Sequence, residues 1–150
     1  MNKAIHIMTF PPHFKYCQKL IKEFNKLNTD NAPTDIYIVF DSIRDSYEFH
    51  KIDPDIFKNK HIKPIVMEKI IDYVNIKKET ALPLKFQRWG ALRRWVTLKR
   101  TYSILYLYKK GYEYLWCIDS ESLPLVNFSP KQIFQNYIND KYLLVCEKHS

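Results

Sequence analysis

Glycine is scarce in this chain, with only two residues in 150. A GxGxxG dinucleotide loop and a GxxxxGKS/T phosphate loop both need glycines at fixed spacing, because side chains there would keep the backbone away from the phosphates. Neither pattern occurs in the sequence. The sequence therefore excludes both of these glycine-rich phosphate loops.

Cysteine is also sparse, and no hydrophobic run is long. Cys17, Cys117 and Cys146 are odd in number and lack CxxC spacing, which predicts reduced, mostly buried thiols and neither a disulfide framework nor a zinc site. No apolar run approaches the roughly 18 residues of a membrane span. Residues 1–10 lack the apolar region and cleavage site of a signal peptide, so we expect a cytoplasmic protein.

Positive charge is in excess, since 24 lysines and arginines stand against 16 aspartates and glutamates, a formal net charge of +8. Such a balance favours nucleic acid, an anionic membrane surface or a phosphorylated substrate as the partner. Charge alone does not choose among the three. The five histidines have no spacing typical of metal ligands, so we interpret them as structural or surface residues.

Hydrophobic periodicity predicts a single α/β domain over residues 1–150, with a mainly parallel central sheet flanked by helices. Apolar runs predict strands at 3–10, 35–41, 62–67, 112–119 and 142–146. Spacing of 3.6 residues predicts helices at 13–28, 42–51, 84–110 and 130–139. We expect Ser42 to be the N-cap of the second of these helices. Because the sequence ends a few residues after a strand, we expect the chain to be truncated, the N-terminal part of a longer protein.

The helix at 84–110 is the longest predicted element, with Pro83 before it and Gly111 after it as start and stop signals. We expect Arg93 to reach a phosphate, because its neighbours at helical spacing are apolar. A helical wheel places Arg93 and Arg100 opposite an apolar stripe of Leu84, Ala91, Trp95, Leu98, Tyr102, Leu105 and Tyr106.

Polar side chains follow the predicted strands at the edge where open parallel sheets bind ligands. Thr9 and Phe10 end the first strand, Asp41 ends the second, and the acidic triplet 119–121 ends the fourth. We expect Asp41 and the triplet at adjacent strand ends, facing one crevice. Two carboxylates one residue apart can share a hard divalent cation. The alternative is that the triplet forms a turn and that Asp41 caps the next helix.

The segment 111–121, GYEYLWCIDSE, follows this long basic helix and resembles the GT-A-type nucleotide-sugar-dependent glycosyltransferases. In that family a hydrophobic strand runs into an acidic DxD-type triplet. The resemblance covers residues 3–147 and implies a Rossmann-like GT-A fold. It implies transfer of a sugar from a nucleotide diphosphate-sugar to a glycan or other acceptor, with Mn²⁺ or Mg²⁺ as the cofactor.

The same resemblance implies roles for individual residues. Asp119 and Glu121 would hold the cation, although Glu121 departs from the aspartate that the family usually has at this position. The catalytic base and the acceptor-binding part of such enzymes usually lie farther along the chain, so no base is assigned. The donor would be bound by Thr9, Phe10, Asp41, Arg88, Arg93, Asp119 and Ser120.

The leading alternative is a non-enzymatic basic α/β domain that binds nucleic acid, which rests on the +8 charge and the 15% aromatic content. It is disfavoured because the basic residues are spread along the chain and no RNP, KH or helix-turn-helix pattern appears. A nucleotidyltransferase ranks lower, since the glycine-rich loop is missing. A peripheral contact with a membrane is a further expectation from the charge.

Overall fold

The protein is described by a computed structural model that covers residues 2–28, 33–72, 75–76, 90–120 and 130–135. Strands and helices alternate along it. The strands are β1 (Lys3–Met8), β2 (Asp35–Phe40), β3 (Ile62–Val66) and β4 (Tyr114–Asp119). The helices are α1 (Phe14–Leu27), α2 (Ile43–Ile52), α3 (Gly90–Lys109) and α4 (Pro130–Ile133). The predicted strand at 142–146 and residues 136–139 of the predicted helix at 130–139 lie outside the described residues.

The four strands form one parallel sheet in the order β3-β2-β1-β4. The prediction of an α/β chain with a mainly parallel sheet is confirmed. In the register of the sheet, Met8 of β1 lies beside Val39 of β2 on one side and Asp119 of β4 on the other. After β3 the chain crosses back to pair β4 with β1, so the strand order reverses between β1 and β4.

Helices cover both faces of the sheet. Ile5 and Ile7 of β1 face a core shared with α1 and α2, which includes Phe14, Leu20 and Phe49. Ala4 faces the opposite side, where Leu107 of α3 packs with Tyr37, Val39, Ile65 and Met67. The alternation of side chains along a strand explains this division, because successive residues point to opposite faces. The result is a three-layer arrangement with the sheet in the middle.

The ends of two helices follow the predicted signals. Ser42 caps α2, since its Oγ accepts a hydrogen bond of 3.1 Å from the backbone N–H of Asp45. Gly111 follows α3 with a φ of 99°, a left-handed conformation that favours glycine and ends the helix. The predicted start of this helix, from residue 84 to residue 89, lies outside the described residues.

The buried face of α3 differs from the predicted stripe. Trp95, Lys99, Ser103 and Leu107 are buried at intervals of four residues, whereas Leu105 is 44% exposed. The prediction is therefore wrong for Leu105, and it missed two polar residues on the inward face. These two are buried because each has a partner there, Asp41 for Lys99 and His6 for Ser103. The side chains of residues 84–94 lie outside the description.

The amino ends of the strands carry a polar cluster on Asp35. Its carboxylate accepts hydrogen bonds from the Tyr112 hydroxyl at 2.5 Å and from Lys63 Nζ at 3.3 Å, and it lies 3.0 Å from Nδ1 of His61. Burial raises the pKa of Asp35, but these hydrogen bonds and the lysine charge outweigh burial, so the pKa is lowered. Burial and the carboxylate raise the pKa of Tyr112. The cluster ties β2, β3 and the lead-in to β4 together.

Strand β3 is at one end of the strand order formed by the described residues, and it contains a proline, Pro64. The N–H of Ile36 donates to the carbonyl of His61 at 2.7 Å. The backbone N–H and C=O groups of successive residues point to alternate sides of a strand, so those of the odd-numbered residues of β3 point toward β2. Pro64 is exposed and occupies an even position, where its nitrogen faces away from β2. The strand therefore tolerates a residue that cannot donate a backbone hydrogen bond.

The two described cysteines differ in environment. Cys17 is fully buried in the core under α1, and burial raises the pKa of its thiol to about 12. Cys117 on β4 is exposed and so departs from the expectation of mostly buried thiols, which Cys17 meets. Cys146 lies outside the described residues.

Within the described residues, none of the helices combines the length and apolar content that a membrane crossing requires.

Candidate functional site

Five polar or aromatic residues lie at the edge of the sheet where the parallel strands end. Thr9 and Phe10 follow β1, Asp41 follows β2, Asp119 is the last residue of β4, and Ser120 comes next. We call these five residues the carboxyl-edge site. The strand order reverses between β1 and β4, and ligands of open α/β sheets bind outside the strand ends at such a point.

The two aspartates of the site do not occupy adjacent strands. Strand β1 lies between β2 and β4, so about 10 Å of sheet separates the two strand axes. The expectation of adjacent strand ends is therefore wrong. Both carboxylates nevertheless contact α3, Asp41 through Trp95 and Lys99 and Asp119 through Arg100.

Asp41 is held by two side chains of α3. Lys99 Nζ lies 2.7 Å from Oδ1, and Trp95 Nε1 donates to Oδ2 at 3.1 Å. Lys99 also donates to the carbonyl oxygen of Thr9 at 3.1 Å. One ammonium group therefore joins the ends of β1 and β2 to the crossover helix. The alternative role of Asp41 as a helix cap is not realised, since Ser42 caps α2.

The ion pair of Asp41 and Lys99 is buried, with side-chain exposures of 15% and 4%. Buried pairs contribute little net stability relative to an apolar pair, but loss of one partner leaves a buried charge uncompensated. The arrangement therefore fixes the orientation of the Asp41 carboxylate. Both carboxylate oxygens of Asp41 are engaged in this way, Oδ1 by Lys99 and Oδ2 by Trp95.

Asp119 is the most exposed group of the site. Its side chain is 62% exposed, and Nη2 of Arg100, itself 45% exposed, lies 3.3 Å from Oδ1. Exposed pairs of this kind contribute about 0–1 kcal/mol. Arg100 and Asp119 can therefore separate at little cost when a ligand offers each of them a stronger partner.

An aromatic row borders the site on the α1 side. The ring of Phe10 lies 4.2 Å from that of His13, and Tyr16 meets His13 edge-on at 5.9 Å. Ser120 is buried, and its Oγ lies 3.5 Å from Nδ1 of His13. The row lies beside the point where β1 and β4 end, and Tyr16 is 53% exposed. It offers flat apolar surface to a planar or cyclic ligand.

A buried histidine supports α3 beneath the site. His6 Nε2 lies 2.7 Å from Oγ of Ser103, and this hydroxyl is within donating distance of the carbonyls of Lys99 and Arg100, at 2.7 and 3.0 Å. Since the hydroxyl proton is directed to a carbonyl, His6 donates from Nε2. Burial, and then the charge of Arg100, lower the pKa of His6 to about 4, so its ring is neutral.

The structure brings together part of the predicted donor site. Thr9, Phe10, Asp41, Asp119 and Ser120 share one edge of the sheet. Arg88, Glu121 and the side chain of Arg93 lie outside the described residues. Arg100 is the described arginine that contacts the site, through Asp119.

Sequence reasoning missed Lys99 and His13, and it interpreted Trp95 only as part of the apolar stripe. A signal for Lys99 was present, because Trp95, Lys99, Ser103 and Leu107 recur every four residues and share one helix face. The predicted apolar stripe marked a different face of α3 as the buried one, so this face was not recognised. No comparable signal marks His13, whose contact with Ser120 depends on the pairing of β1 with β4.

Comparison of the chain with protein-family models, curated proteins and solved structures gives no match.

Proposed function

We propose that this protein is a glycosyltransferase that binds a nucleotide diphosphate-sugar at the carboxyl-edge site and transfers the sugar to an acceptor. The observation that carries the proposal is the exposed carboxylate of Asp119 at the end of β4, beside β1, where the strand order reverses. Ligands of open α/β sheets bind at this position. The assignment to the GT-A type is part of the proposal and is supported by the acidic triplet that ends this strand.

Asp41 supports the nucleoside half of the proposal. A carboxylate that accepts from two hydroxyls is the usual protein partner of a ribose. Trp95 and Lys99 hold Asp41 in one orientation, which lowers the entropy that a ligand would otherwise lose on ordering it. The rings of Phe10 and His13, whose centroids are 4.2 Å apart, would contact the ligand at the end of β1.

Arg100 supports the diphosphate half. Its guanidinium carries a permanent charge and a planar fork of donors that matches phosphate oxygens. In the protein alone it contacts Asp119 at 3.3 Å and is half-exposed. On donor binding it would turn to the diphosphate and stabilise the negative charge that develops as the nucleoside diphosphate departs.

The donor set is compatible with a divalent cation, Mn²⁺ or Mg²⁺. Asp119 offers an exposed carboxylate, the hard oxygen ligand that both ions prefer. Within the described ranges it is not grouped with two further His, Cys, Asp or Glu side chains. Glu121, which lies outside those ranges, and the diphosphate oxygens would complete the ligand set. Such a cation supplies Lewis acidity for the departing diphosphate.

Isothermal titration of the whole chain with UDP and with GDP tests the proposal, in Mn²⁺ and in EDTA. We expect one of the two nucleotides to bind, with an affinity at least about tenfold higher in Mn²⁺. Equal affinity in Mn²⁺ and EDTA would remove the cation from the proposal. Absence of binding by both nucleotides under both conditions would contradict the donor site itself.

A further inference from the structure

The outward face of α1 carries a stripe of lysines. At 100° per residue, Lys15, Lys19, Lys22 and Lys26 fall within about 60° of arc and span about 16 Å along the axis. All four are exposed. The opposite face of α1 is buried against the sheet through Cys17, Leu20, Ile21 and Phe24. The lysines therefore point away from the protein body.

Few acidic groups neutralise this stripe. Glu23 is the single acid of α1 and pairs with Lys26 at 3.0 Å, and Lys22 lies 3.7 Å from Asp53. No ion pair joins Lys15 or Lys19 to another residue in the described part of the chain. The half of the stripe nearest the carboxyl edge is thus the more positive half.

The neighbouring helix adds exposed apolar side chains to the same side of the molecule. Helix α2 covers the same face of the sheet as α1, because Phe49 packs against Phe14 at 5.3 Å. On α2, Tyr47 is 64% exposed and Ile43 is 39% exposed. They lie one turn apart and point outward, since Phe49 occupies the inward side. Cations and isolated apolar groups therefore share one surface, which we call the α1–α2 face.

We propose that the α1–α2 face docks on an anionic lipid bilayer. Lysine stems can lie along the headgroup region while the ammonium groups reach lipid phosphates and carboxylates. Tyrosine and isoleucine side chains on the same surface as these cations suit the boundary of headgroups and acyl chains. Nucleic acid fits this face less well, because Ile43 cannot stack on a base and α1 has no arginine to read base edges. The glutamine of α1, Gln18, is buried, and its asparagine, Asn25, accepts a hydrogen bond from Asn59.

The docking orientation would keep the carboxyl-edge site accessible. Helix α1 begins at the carboxyl edge, directly after the turn at Pro11–His13, and runs toward the amino edge. The α1–α2 face is therefore at right angles to the edge that carries Asp41 and Asp119. A bilayer on this face would lie beside the site without covering it.

Sedimentation with lipid vesicles tests the proposal on the whole chain. The vesicles are phosphatidylcholine alone or phosphatidylcholine with about 30% phosphatidylserine. The test variant is Lys15→Gln/Lys19→Gln. Its matched control is Lys69→Gln/Lys109→Gln, which has the same net charge but alters exposed lysines beside Met67 and Leu107, on the opposite side of the sheet. We expect the wild type and the control to bind anionic vesicles, and the test variant to bind about tenfold more weakly.

Three results would overturn the proposal. The first is equal loss in the test variant and the control, which would mean that net charge alone causes binding. The second is equal binding to neutral and anionic vesicles, or none to either. The third is tighter binding to a short RNA or DNA duplex than to anionic vesicles, with a loss specific to Lys15→Gln/Lys19→Gln. Equal thermal midpoints would show that the variants are folded, and Lys19→Glu serves as a second test variant.

Discussion

Lys99 Nζ lies 2.7 Å from Oδ1 of Asp41 and 3.1 Å from the carbonyl oxygen of Thr9. A lysine with 3% of its surface exposed is uncommon, because removal of an ammonium group from water is costly unless it is paired. The pair fixes the position of α3 relative to the ends of β1 and β2. The stability of the fold and the geometry of the carboxyl-edge site are therefore coupled through one side chain.

Replacement of this lysine should destabilise the protein. Lys99→Met keeps the length of the side chain but leaves Asp41 without its cation, so we expect the free energy of unfolding to fall by about 3 kcal/mol. Urea denaturation measures the change. Lys109→Met, an exposed position on the same helix, is the control and should have little effect. The double variant Lys99→Met/Asp41→Asn should recover part of the loss, and additive effects would mean that the two residues are not coupled.

Asp119 should matter for nucleotide binding and little for folding. Asp119→Asn removes the charge that would hold a cation, so we expect Mn²⁺-dependent binding of UDP or GDP to weaken at least about tenfold, or 1.4 kcal/mol. The thermal midpoint should be nearly unchanged, because the side chain is 62% exposed. Titration calorimetry measures the affinity. The control is Glu113→Gln, an exposed carboxylate just before β4 at its amino end. A loss of equal size in this control would refute the assignment of Asp119.

Acid should destabilise the fold through His6. Its folded pKa of about 4 lies below its usual value of 6.5, so the unfolded chain binds the proton first as the pH falls. The stability that neutral His6 contributes is complete above about pH 6.5 and is lost progressively toward pH 4. We expect the loss to be about 3 kcal/mol. Urea midpoints at several pH values measure it in the wild type and in His6→Gln, which cannot titrate. Parallel pH profiles for the two proteins would contradict the prediction.

The polar cluster on Asp35, at the amino ends of the strands, should also lose stability in acid. Tyr112→Phe removes the 2.5 Å hydrogen bond to Asp35, which should reduce the free energy of unfolding by about 1–2 kcal/mol at neutral pH. It should also raise the pKa of Asp35, whose depressed value contributes stability above its usual value of 3.8 that disappears as the pH falls below it. Carboxylate titration by NMR and urea denaturation measure the two effects. Tyr108→Phe, at a tyrosine that is 68% exposed, is the control and should change neither.

The sequence was sufficient for the elements of the fold because their signals are local. The run at 35–41 predicted β2, found at Asp35–Phe40, and the periodicity at 13–28 predicted α1, found at Phe14–Leu27. Ser42 as the cap of α2 and Gly111 as the end of α3 were also predicted, since caps act on backbone groups a few residues away.

Contacts between distant segments were not predictable. The apolar run that forms β4 is compatible with a place in the sheet beside β1 or beside β3. The sequence therefore did not show that β1 lies between the strands that carry Asp41 and Asp119. The burial of Lys99 depends on a carbonyl 90 residues earlier in the chain. Helical periodicity marks apolar residues as the buried face, and a lysine that is buried through its partners contradicts this rule.

Pro64 affects how this protein meets other chains. A strand at the end of a sheet has unpaired N–H and C=O groups along its outer side, and these can add a strand from another molecule. Among the described residues β3 is at one end of the strand order, and on its outer side Pro64 has no N–H to offer and its ring occupies space near the backbone. Any strand that approached there would lose one hydrogen bond of the ladder and meet a bulky ring. This edge is consequently a poor template for intermolecular β-sheet and therefore for amyloid-like aggregation.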